Sequence, residues 1–110
     1  VTQCVLTDPP DGSRVAVATA DVIELVIPQN AGTGYVWSLV EHGEGLEVAT
    51  EQDAVARGED GADAAVPGGA GRHEVRLLAV RSGTWTVRLV CRRPWEDTAL
   101  DERRLTVVVT

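Results

Sequence analysis

Lysine, methionine and phenylalanine are missing from this chain of 110 residues, and asparagine and tyrosine occur once each, at Asn30 and Tyr35. Every basic side chain is therefore arginine, 10 against 17 acidic residues, for a net charge of −7. With Ala, Val and Gly so frequent, this bias reads as the imprint of a GC-rich genome. A chain this acidic lacks the basic field that phosphate backbones require, and anionic lipid repels it, so neither nucleic acid nor a membrane surface is an expected partner. No apolar run approaches the ~18–20 residues of a bilayer span. The amino terminus shows no basic region followed by an apolar run, the pattern of a signal peptide. The 2 cysteines, Cys4 and Cys91, permit one disulfide and no Cys-rich zinc site. The 2 histidines, His42 and His73, stand in no metal-ligand spacing and are expected to be exposed loop or strand residues. Ser13, Ser38 and Ser82 lie in no nucleophile-elbow setting. Gly68-Gly69-Ala70-Gly71 has no Lys-Ser/Thr after it and opens a strand, so it is no phosphate loop. Acidic pairs such as Glu59-Asp60 and Asp101-Glu102 read as solvated charge. No catalytic constellation emerges, so an enzyme is not expected, nor a metal or cofactor.

What is present is a period of two. The length and a 44% hydrophobic content suit one globular domain spanning residues 1–110. Strand patterns run over Arg14 to Val17, Val22 to Ile27 (stopped by Pro28), Tyr35 to Val40, Leu46 to Val48, His73 to Val80, Thr84 to Arg92 and Arg104 to Val109. In the run from Thr84, Trp85, Val87, Leu89 and Cys91 share one face, as in a half-buried strand. Ser82-Gly83 reads as a hairpin turn between the two longest runs. Helix signals are poor: Glu51 to Ala65 is acidic, broken by Gly58 and Gly61, and reads as a long exposed loop with at most one helical turn. Seven or eight short strands in this length predict an all-β, immunoglobulin-like antiparallel sandwich. Its core should come mainly from Ile23, Leu25, Ile27, Trp37, Val75, Leu77, Trp85, Val87, Leu89, Leu105 and Val107.

Three segments between strands carry unusual chemistry. Asn30-Ala31-Gly32-Thr33-Gly34-Tyr35-Val36-Trp37 has small residues and glycines that let backbone approach another surface closely. Gly68-Gly69-Ala70-Gly71 is a second such segment. Arg92-Arg93-Pro94-Trp95 follows the strongest strand, and Trp and Arg are the residues most enriched at binding hot spots, although a loop Trp also commonly lids a core.

Together the three resemble the signature of the chagasin family, immunoglobulin-like protein inhibitors of papain-type cysteine peptidases. That signature is Asn-Pro-Thr-Thr-Gly-Tyr/Phe-x-Trp, then Gly-x-Gly-Gly, then Arg-Pro-Trp/Phe. The order is kept here, Arg93-Pro94-Trp95 is intact, and the resemblance runs from Gly12 to the end. Ala31 replaces the family proline, Gly32 its first threonine and Ala70 its third glycine. The resemblance implies three loops at one end of the sandwich that wedge into the peptidase cleft. The partner would be a papain-family cysteine peptidase, bound reversibly by a monomer that is not cleaved. The implied contact residues are Asn30, Ala31, Gly32, Thr33, Gly34, Tyr35, Gly68, Gly69, Ala70, Gly71, Arg93, Pro94 and Trp95. Gly32, Thr33 and Gly34 would form the tip, Trp95 an apolar anchor, and Tyr35 and Trp37 a support from the core side. An immunoglobulin-like binding or spacer module without inhibitory activity is the alternative. A secreted or cell-surface location is expected, with a cytoplasmic one also compatible. The even cysteine count leaves two outcomes open, a Cys4–Cys91 bridge or two free thiols.

Overall fold

The computed structural model describes residues 2–30, 34–55 and 70–110, with the side chains of Asn30, Val55 and Ala70 outside that description. Eight strands follow in order: β1 (Gln3–Thr7), β2 (Arg14–Val17), β3 (Val22–Asn30), β4 (Val36–Glu41), β5 (Leu46–Val55), β6 (Ala70–Ala79), β7 (Gly83–Arg92) and β8 (Asp101–Val109). They build two four-stranded sheets, β1-β3-β6-β5 and β2-β8-β7-β4, packed as the all-β sandwich the sequence predicts. Most pairs are antiparallel, but β1 lies parallel to β3 and β2 parallel to β8.

Alternation decides the core. Ile23, Leu25 and Ile27 of β3 meet Val75 and Leu77 of β6 on one inner face, and Val87 and Leu89 of β7 meet Leu105 and Val107 of β8 on the other. Trp37, Leu46, Ala79, Val17 and Val109 complete it. Trp85, expected there, is only half-buried. It lies against Gly43, Gly45 and Gly83 near the turn end of the sandwich, with its indole N–H donating to the Arg81 carbonyl at 3.1 Å.

Three local expectations are corrected. Pro28 does not stop β3 but pairs with Arg72 inside it; β1 ends at Thr7, opposite Val26, so this stretch of β3 is open on one side, where proline is tolerated. Ser82-Gly83 is not a hairpin turn, since β6 and β7 lie in different sheets and the segment carries the chain across the sandwich. Residues Glu51 to Val55 are strand, not loop: pairing of Glu51 with Val75 through Val55 with Gly71 overrides their polar composition. Of the two outcomes open for the cysteines, the structure has the two free thiols. Cys4 is half-buried on β1 and Cys91 buried on β7, in separate sheets, both as free thiols. Burial, then the nearby Asp101 carboxylate, pushes the Cys91 thiol up.

Only β5–β6 and β7–β8 are joined within a sheet; every other connection crosses between sheets. Pairing of Asn30 with Ala70, Val55 with Gly71, Val36 with Arg92 and Cys91 with Asp101, with the Trp37 N–H bonded to Gln29 across the sheets, gathers at one end of the sandwich the strand ends that bound the 30–36, 55–70 and 92–101 connections.

Candidate functional site

At that end the first and third sequence motifs touch. Gly34 has φ +79, a conformation that favours glycine, and a side chain there would place its Cβ 3.1 Å from Cη2 of Trp95 and 3.9 Å from Cγ of Arg93. The Trp95 ring thus lies over bare backbone. Its residue stays 71% exposed, so it presents its apolar surface to solvent and does not lid the core. The Arg93 guanidinium sits 4.4 Å from the Tyr35 ring centroid and 5.9 Å from that of Trp95, both within cation–π range. Arg93 also pairs with Glu96 at 3.2 Å, the Glu96 N–H donates to the Arg93 carbonyl at 3.0 Å, and Arg92 donates to the Glu96 carbonyl at 2.8 Å. These bonds fold residues 92–96 into a tight turn that holds Trp95 outward. Pro94 is exposed beside it.

The end of the second motif abuts the start of the first. Ala70 and Gly71 open β6, paired with Asn30 and Gln29 of β3. A Cβ on Gly71 would lie 3.1 Å from the Ala54 carbonyl oxygen and 3.3 Å from that of Gln29, so strands β3 and β5 close tightly around it. Ala31, Gly32, Thr33, Gly68 and Gly69 lie outside the described residues.

Below the site the core turns polar. His73, expected to be exposed, is only 5% accessible. Its Nδ1 is 2.6 Å from Asp53 Oδ1 and its Nε2 2.9 Å from Glu51 Oε2. Gln29, 9% accessible, donates to Asp53 at 3.0 Å and accepts the Trp37 backbone N–H at 2.7 Å. The Leu39 N–H donates to Glu51 at 2.8 Å. The hydrogen bond from His73, foremost, holds the Asp53 carboxyl below the usual carboxylate range. On the other sheet, Arg103 stacks 5.2 Å from the Trp37 ring centroid and donates to Asp8 and to the Pro9 carbonyl, each at 2.9 Å. The bond to Asp8 is the main reason its guanidinium is raised further above its ordinary value. Sequence reasoning missed Gln29, Glu51, Asp53 and His73 as members of this end. The available signal was parity: Gln29 follows Ile27 and His73 precedes Val75 at the inward period of two.

Among the described residues no group of three or more His, Cys, Asp or Glu side chains is arranged to hold a metal ion. What this end offers is shape: an exposed indole, an arginine clamped between aromatics, and backbone approached closely at Gly34. Comparison with known proteins agrees. Over its whole length the chain superposes on a cysteine protease inhibitor of Entamoeba histolytica, EhICP2, with a TM-score of 0.81 at 22% identity, covering 99% of this chain and 96% of that one. A second solved structure, PbICP-C in complex with falcipain-2, gives a TM-score of 0.73 at 15% identity, covering 97% and 99%. Amoebiasin-1 of E. histolytica is 28% identical over 96 residues, 87% of this chain and 88% of that protein. Residues 16–109 match the model of the chagasin family of peptidase inhibitors, I42, and the chain belongs to that family of inhibitors rather than to an enzyme family.

Proposed function

We propose that this protein inhibits papain-type cysteine peptidases by filling the active-site cleft with the end of the sandwich that carries Asn30 to Tyr35, Gly68 to Gly71 and Arg93 to Trp95. The observation that carries the reading is the packing of exposed Trp95 on Gly34, which joins two motifs some sixty residues apart into one surface. Family membership supports it, as does a structural neighbour described in complex with falcipain-2. A narrow cleft demands small, backbone-rich tips beside one large apolar anchor. Gly32, Thr33 and Gly34 enter nearest the catalytic cysteine, Trp95 packs on an apolar wall, and Arg93 lies at the rim. Inhibition is by occlusion: one monomer blocks one peptidase, reversibly, and is released intact.

Titration of papain with the purified protein, followed by hydrolysis of a small fluorogenic substrate, tests this. The expected result is inhibition that reverses on dilution, with the intact mass of the inhibitor unchanged after long incubation. A folded protein that leaves papain and cathepsin-like peptidases fully active at large excess overturns the proposal and favours an immunoglobulin-like binding module.

A further inference from the structure

The polar cluster beneath the site occupies a specific mechanical position. Among the described residues strand β4 pairs with β7 alone, so its other edge offers backbone N–H groups to side chains of the opposite sheet. Two of these, at Trp37 and Leu39, are taken by side chains from that sheet, Gln29 of β3 and Glu51 of β5. His73 of β6 then bridges Glu51 to Asp53, and Asp53 returns to Gln29. The ring of bonds ties the two strands flanking the 30–36 connection, β3 and β4, to the two flanking the 55–70 connection, β5 and β6. An apolar core already holds the sheets together below it, and buried polar groups of this kind commonly add little net stability over apolar replacements. What they add is direction, because each bond fixes one atom against another.

We propose that Gln29 and His73 are positioning residues for inhibition: by fastening the ends of β3, β4, β5 and β6 to each other, they hold in place the stems on which the first two loops meet the peptidase. This rests on the inhibitory reading above. Preorganisation acts on affinity because a surface that is already ordered loses less freedom on binding.

The test compares Gln29→Leu, His73→Leu and His73→Gln with Leu46→Ala, a core variant near the opposite end of the sandwich. Each is assayed for its inhibition constant on papain, its melting temperature, and its backbone amide shifts and hydrogen exchange by NMR without peptidase. Gln29→Leu and His73→Leu are expected to weaken inhibition about tenfold or more. They should also speed exchange at Trp37 and Leu39 and move the Gly34 and Tyr35 resonances. His73→Gln keeps one donor and should recover part of both effects. Leu46→Ala should melt lower yet inhibit as wild type does. Equal loss of inhibition in Leu46→Ala, or wild-type inhibition by folded Gln29→Leu and His73→Leu, overturns the proposal. The NMR readout needs no peptidase. Unmoved Gly34 and Tyr35 resonances therefore reject the positioning role by themselves, whereas a wild type that fails to inhibit rejects the inhibitory reading instead.

Discussion

Trp95 and Gly34 define each other. The indole is exposed because the 92–96 turn holds it outward, and it lies where it does because residue 34 has no side chain. Trp95→Ala should therefore leave the melting temperature almost unchanged and weaken peptidase binding by about 2–4 kcal/mol, the range of an aromatic hot spot. Full-strength inhibition by the folded variant would remove Trp95 as an anchor. Gly34→Ala should cost about 1–2 kcal/mol of stability from positive φ alone. Its Cβ also displaces the ring, so inhibition should fall by more than this strain accounts for; parallel melting and inhibition curves measure both. Asp53 makes the pH prediction. Its carboxyl is held low, chiefly by His73, so the stability it contributes is present above the ordinary carboxylate value of ~3.9 and is lost as pH falls through the lower folded value. Melting temperature plotted against pH in the acid range should drop less steeply for Asp53→Asn than for wild type. Identical slopes would show that the bond to His73 carries no such linkage.

At the scale of elements, β4 and β5, the edge strands of this side among the described residues, show how side chains can join two sheets of a sandwich. Side chains of Gln29 and Glu51 satisfy β4, and the bulges at Leu39/Glu41 and Val48/Thr50 adjust both edges. The acidic character of Glu51 and Asp53, which suggests a solvated loop, is what lets β5 engage His73. Toward the other end of the sandwich, Trp85 covers glycine backbone between β4 and β5, and a Cβ on Gly45 would overlap its ring. Gly45→Ala should thus destabilise the fold by about 1–3 kcal/mol, as overpacking does. Inhibition by the fraction that remains folded should be unchanged, because this end is remote from the loops. Chemical denaturation followed by tryptophan fluorescence reads the loss, and an unaltered midpoint would mean that the ring swings aside freely.

For the whole molecule, stability rests on one apolar core between two sheets with no covalent cross-link. Intact mass should be the same with and without reductant, since Cys4 and Cys91 are free; a gain of two hydrogens on reduction would contradict this. Leu89, fully buried at the centre of β7, should cost about 2–5 kcal/mol when cut to alanine, a large part of a small domain's stability. The separation of roles follows the long axis of the strands. Apolar layers hold the sandwich, a polar layer of Gln29, His73 and Arg103 lies above them, and the exposed Trp95 with Gly34 stands at the end.

The sequence by itself determined the class of fold and most of the core, because burial on one face of a strand imposes a period of two that needs no knowledge of partners. It also supplied the three motifs, since Gly, Trp and Arg-Pro are informative as residue types wherever they fall. Strand pairing is a property of distant segments, and there the sequence misled. Pro28 and Glu51 to Val55 are strand only because β6 runs beside them, and Ser82-Gly83 crosses between sheets although its local chemistry suits a hairpin. Burial of His73 and Gln29 was likewise decided in three dimensions. Their polarity argues for exposure, but the inner face of the sandwich continues past the last apolar residue, and Asp53, Glu51 and the open edge of β4 supply the partners that make burial tolerable.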